Sequence, residues 1–109
     1  MTTVCVNIDG DQVAGGFGRA RALAVATVED GAVTDWQEFD VRWDVAHDQG
    51  GEGSHHARIV TFLREHRVDT VVTGHMGPPM QNTLAKLGLR VVLEATGDAR
   101  EAAVAAATD

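Results

Sequence analysis

Two neighbouring imidazoles are the first chemistry this chain offers. The stretch "DQGGEGSHHARIV", residues 48–60, passes through glycines and then sets His55 beside His56 where the pattern predicts a helix to begin, with Ser54 as its N-cap. The partial positive charge of a helix N-terminus disfavours imidazolium and favours the neutral ring, the form that can ligate a metal. Adjacent helical residues point about 100° apart, so one of the two can be a bystander. His75, on a short connection between a β-branched run and "MGPP", is a further candidate ligand, and His47 lies in the loop before the pair. Only His66 is expected at the opposite end of the molecule. No HExxH or CxxC spacing occurs, so these residues are not a recognised zinc motif.

Two glycine-bearing turns accompany the histidines. "AGGFGRA" brings Phe17, Gly18 and the cation of Arg19 to a place where backbone can approach a ligand closely. "GHMGP", with Gly74, Met76, Gly77 and Pro78, falls between a strand and a helix, where exposed N–H groups could receive an anion. Each turn taken singly is equally explained as a tight connection. Met76 and Met80 could line an apolar wall with Trp43, although core packing is the commoner fate of such residues. Asp9 and Asp11 could hold Mg²⁺, but two-metal hydrolysis needs further carboxylates, and only Asp44, Asp48 and Glu52 lie in the neighbouring loop.

The elements that must position these groups follow from hydrophobic period. "TVCVNI" (3–8) alternates and reads as a first strand, with Cys5 packed as a small hydrophobe. "ALAVATV" (22–28), an Asp30-Gly31 hairpin and "VTDWQEFDVRW" (33–43) predict an antiparallel meander. Residues 55–67 have helical spacing, 69–74 and 89–94 read as buried strands, and Pro79 and Gly88 bracket a short helix. Asp98 with Glu101 resembles a capping box opening an Ala-rich helix over 99–107. The order βββαβαβα predicts one domain, residues 1–109, built on a mixed five-stranded sheet with helices packed on it. If the last two strands run parallel to the first, residues 9–21, 44–54, 74–75 and 95–97 meet at the carboxyl-end rim, where ligands of such sheets bind.

Composition narrows the function. A net charge of −7 and a sequence pI near 5.0 are the wrong sign for a protein that neutralises phosphates, which argues against nucleic acid. The start "MTTVCVNIDGDQ" has no basic region and reaches Asp9 before any long apolar run, so it reads as neither signal peptide nor membrane span, and a cytoplasmic location is expected. A single cysteine excludes an internal disulfide.

Two longer stretches carry a resemblance. "GGFGRARALAVATVEDGAV" and "RVDTVVTGHMGPPMQNTLAKLGLRVVLEATGDAREAA" resemble the signatures of the dinitrogenase iron-molybdenum cofactor biosynthesis family, the NifX-like proteins and the C-terminal domain of NifB, over nearly the whole chain. The resemblance implies a ribonuclease H-like α/β fold and a non-enzymatic role in binding or carrying an iron-sulfur or iron-molybdenum cluster precursor, with cluster-donor or acceptor proteins as partners. Its motif positions fall on Phe17, Gly18 and Arg19 and on Gly74, Gly77 and Pro78. The family pattern usually has a histidine before Phe-Gly-Arg; Gly16 stands there in this chain, whereas His75, His55 and His56 are additional. The ligand set is therefore expected to have moved within one pocket.

Three readings follow. The first is a metal or cluster carrier, holding a cluster precursor or a single transition-metal ion. The second is a small-molecule anion-binding regulatory module without metal, and the third and weakest a metal-dependent hydrolase. A carrier needs unprotonated histidines, so its binding should fall with pH through about 6.5. Whether the chain acts as a monomer or a homodimer is left open by the sequence.

Overall fold

A computed structural model describes residues 1–46 and 52–108. Strand β1 (Thr2–Asp9) is the axis of a mixed sheet. On one side it pairs antiparallel with β3 (Ala22–Glu29), which pairs antiparallel with β4 (Ala32–Phe39). On the other side it pairs in parallel with β5 (Thr70–Val72), which pairs in parallel with β6 (Arg90–Val92). The order is β4-β3-β1-β5-β6, and a sixth strand, the two-residue β2 (Gln12–Val13), folds back on the end of β1. The meander turns at Asp30 and Gly31, both with positive φ (51° and 78°), the conformation a two-residue type I′ hairpin requires.

Among the described residues the sheet is accompanied by the α-helices α1 (Trp43–Ala46), α2 (Glu52–Glu65), α3 (Pro78–Lys86) and α4 (Ala99–Thr108). One face of the sheet carries Cys5, Leu23 and Val71 beneath Ile59 and Leu63 of α2 and Met80 and Leu84 of α3. The other carries Val4, Val6, Ala24 and Ala26 beneath Ala99, Ala103 and Ala106 of α4. Alternation of side chains along each strand sorts these residues onto the two faces. Burial of each large aliphatic side chain such as Ile59 or Leu63 stabilises the fold by about 1.5–3 kcal/mol.

Several boundaries differ from the sequence expectation. The return strand stops at Phe39 rather than residue 43, because Arg42 turns left-handed (φ 55°) and Trp43 enters α1 to pack edge-on against Phe17, with ring centroids 5.5 Å apart. Helix α2 begins upstream of Ser54, which lies inside the helix and not at its N-cap. It ends at Glu65, with Arg67 closing it in the left-handed conformation (φ 53°). Both Pro78 and Pro79 stand in the first turn of α3. Strands β5 and β6 are three residues each: the Thr73 N–H still donates to the Val92 carbonyl (3.1 Å), and beyond it Glu94 turns left-handed (φ 59°). The amide of Glu101 donates to Asp98 Oδ2 at 2.9 Å, so Asp98 caps α4 as expected. No helix among the described residues is long and apolar enough to cross a membrane.

Candidate functional site

Because β1, β5 and β6 are parallel, the segments that follow them leave the same edge of the sheet. Residues 12–17 run across that edge as an extended strap. The strap is bonded on both sides: Ala14 N–H donates to the Asn7 carbonyl (2.7 Å) and Val13 N–H to the Gly97 carbonyl (2.9 Å). Gly74 N–H donates to Ala14 O (2.9 Å), His75 N–H to Gly15 O (2.8 Å) and Phe17 N–H to His75 O (2.9 Å). The expected convergence of residues 9–21, 74–75 and 95–97 is thus present; residues 47–51, with His47, lie outside the described residues. Gly74 is required for this approach, since a Cβ there would lie 3.0 Å from Gly15 Cα and 3.2 Å from Ala14 O.

After the strap the chain makes a 3-10 turn, Phe17–Arg19, with the Phe17 ring buried as its anchor. His55 fixes this turn from above. Its Nδ1 accepts from Arg58 Nη1 at 3.0 Å, and a guanidinium has only donors to offer. Nε2 therefore carries the proton and donates to the Gly18 carbonyl at 2.6 Å. His55 is buried, neutral and bonded through both nitrogens, so it positions the Phe-Gly-Arg turn; ligation by it would require one of these bonds to break. His56, half-buried, shares with His55, Gly18, Gly77, Pro79 and Met80 the wall of a hollow of about 180 Å³.

His75 is exposed, and its backbone forms a parallel bridge with Gly16. Cross-strand partners in such a bridge present their side chains to the same face. The imidazole of His75 thus emerges beside position 16, one strand over. Arg19 and Pro78 are exposed and Gly77 is half-buried. Met76, 1% exposed, packs in the core with Trp43 and Met80 beneath the rim, as does Phe17. Among the described residues no three of His, Cys, Asp and Glu gather as a metal-binding group.

The α3 start behaves differently from the anion cradle its glycines suggested. Pro78 and Pro79 have no N–H to offer. The Met80 N–H, at 3.1 Å, is turned back on the Gly77 carbonyl. Cys5 is wholly buried, and burial pushes its thiol far above the ordinary range, which leaves it unreactive.

Sequence reasoning missed a buried polar pair under the strap. Asn7 Nδ2 donates to Thr73 Oγ1 at 3.1 Å, and that hydroxyl donates to the Gly15 carbonyl at 2.7 Å. The available signal was a polar residue interrupting each of two otherwise apolar runs, "VCVNI" and "TVVT".

Solved structures share the architecture. The apo form of the orange protein from Desulfovibrio gigas superposes with a TM-score of 0.74 at 21% identity, covering 96% of this chain and 85% of that one. A Thermotoga protein assigned as NifB gives a TM-score of 0.64 at 24% identity over 94% of this chain and 84% of that one. A candidate dinitrogenase from Methanocaldococcus jannaschii gives 0.60 at 15% identity over 90% and 80%. No curated protein is a match for the sequence. The family model of the dinitrogenase iron-molybdenum cofactor proteins matches residues 1–109, from one end of the chain to the other, and the protein belongs to that family.

Proposed function

We propose that this chain binds and carries an iron-sulfur or iron-molybdenum cluster precursor at the carboxyl-end rim, without catalysing a reaction of its own. Family membership supports a role connected with the iron-molybdenum cofactor, and the strand order β4-β3-β1-β5-β6 with β3 antiparallel is read as ribonuclease H-like. The observation that carries the assignment is the pairing of His75 with Gly16. It sets an exposed imidazole alongside the strap, next to the position where the family signature has its histidine. His75 is the primary ligand in this reading, and His56, at the hollow lined by Gly18 and Gly77, is the second. Arg19 offsets the negative charge of a thiolate- or sulfide-rich cargo. His55 holds the Phe-Gly-Arg turn in place, and Gly74 lets the strap lie against residues 74–75.

Anaerobic iron-sulfide reconstitution of untagged protein tests the proposal, read by metal content and by the optical spectrum. Stoichiometric metal and a charge-transfer band, weakened in His75→Ala and lost in His56→Ala/His75→Ala, are expected. A colourless protein, or a double variant that loads fully, would overturn it. Because imidazole ligands must be deprotonated, loading should also weaken in acid.

A further inference from the structure

The two outer edges of the sheet differ in charge. Strand β4 carries Asp35 and Glu38 and no cation, so two copies meeting there would set like charges opposite each other. Beyond β6 no further strand follows among the described residues. Its parallel ladder fixes which peptide groups face inward. Arg90 N–H donates to the Asp69 carbonyl (3.1 Å), the Val92 carbonyl accepts from Thr73 N–H (3.1 Å), and Glu94 N–H donates to the Gly74 carbonyl (2.9 Å). Peptide groups alternate sides along a strand, so those of Val91 and Leu93 point outward, away from β5. The surface around them is apolar. Leu87 and Leu93 are 38% and 37% exposed, and Val91 and Val92 are half-buried, whereas Val71 and Val72 of the adjoining β5 are fully covered. One cation, Arg90, and one anion, Glu94, flank this apolar stretch, and both are exposed.

We infer that a second copy of this chain docks on the β6 edge, the two β6 strands pairing antiparallel about a two-fold axis at Val92. This register sets Val91 opposite Leu93 of the second copy, and Leu93 opposite Val91 of the second copy. Each such pair exchanges two hydrogen bonds, so the outward N–H and C=O groups of Val91 and Leu93 all find partners. On either side of the axis Arg90 comes to stand beside Glu94 of the second copy. The neighbouring register, centred on Val91, would call on the Leu89 N–H, which is already committed to the Leu84 carbonyl (3.0 Å), and would leave Arg90 opposite Val92. Apolar cover and main-chain bonds supply the attraction, and the charge pairs select the register. An edge this short gives a weak, reversible dimer. The two rims then lie at opposite ends of the pair, so neither copy covers the other's candidate site, and the interface does not depend on the cargo.

Analytical ultracentrifugation of untagged, metal-free protein tests this. The mean mass should rise from monomer towards dimer as concentration goes from about 10 μM to about 1 mM. Leu93→Pro removes an outward N–H at an exposed edge position without touching the β5 ladder, and should weaken association about tenfold or more. Arg90→Glu and Glu94→Arg should each weaken it, because each sets like charges across the axis. An equimolar mixture of those two variants restores both opposite-charge pairs and should dimerise more tightly than either variant alone. Asp35→Asn, on the β4 edge, should leave association unchanged. Arg90 also donates to the Ala106 carbonyl (3.0 Å), so thermal melting checks that its variant is folded; Leu93→Pro and Glu94→Arg leave that bond in place. A protein that stays monomeric over the whole range, a dimer that Leu93→Pro leaves intact, or a mixture no tighter than its components would overturn the inference. A protein that dimerises in this way but never takes up a cluster would leave it standing and remove only the carrier reading.

Discussion

The two faces of the sheet are built from different materials. Beneath α2 and α3 the core holds Phe17, Leu23, Trp43, Ile59, Leu63, Met76, Met80 and Leu84; beneath α4 the buried helix residues are Ala99, Ala103 and Ala106. Alanine lets α4 lie close on the strands, whereas the bulky face props α2 and α3 farther out and is capped at its end by the Phe17–Arg19 turn. Phe17, Trp43, Phe62 and Phe39 continue through that face in edge-on contacts, and the Trp43 ring also meets His55 edge-on at 6.3 Å. The site elements that depend on packed side chains therefore stand on the bulky face, and the alanine face serves as a closely fitted backing.

That contrast predicts opposite sensitivities. Leu63→Ala, which empties volume on the bulky face, should cost about 2–5 kcal/mol in urea denaturation. Ala103→Leu, which overfills the alanine face, should cost about 1–3 kcal/mol; if Ala103→Leu were neutral, the close fit of α4 would be disproved. Gly74→Ala sets a methyl against Gly15 Cα and should displace the strap, reducing cluster loading more than it reduces the melting temperature. Asp98→Ala removes the N-cap of α4 and should cost about 1 kcal/mol. The smallest effect concerns Cys5: with its thiol buried and held protonated, a thiol reagent should leave the native protein unlabelled and react only at the rate of unfolding. Rapid labelling in native buffer would mean that the bulky face opens readily.

The residues that were easy to place from sequence are those governed by period and by local turn chemistry. Strand β1, the Asp30-Gly31 hairpin, the Asp98 cap and the three principal helices all follow from rules that act within a few residues. The two-residue strand β2 was not legible, since its pairing depends on the end of β1. The early stop of β4 was hidden for the same reason, because Trp43 leaves the strand direction to pack with Phe17 and Phe62, residues remote in sequence. Among the candidate ligands, adjacency made His55 and His56 look equivalent. Their environments separate them: both nitrogens of one are bonded to its neighbours, and the other lines a hollow.

By itself the sequence determined which residues are apolar at strand or helix spacing, where glycine and proline end those runs, and how few thiolates the chain can offer. Those are local properties, set by backbone preference and side-chain type. Only the tertiary structure decided that Gly16 and His75 are neighbours, that His55 secures a turn 37 residues away, and that Asn7 is buried against Thr73 beneath the strap. Each of those depends on the spacing between strands that are distant along the chain, and a one-dimensional pattern carries no such distance.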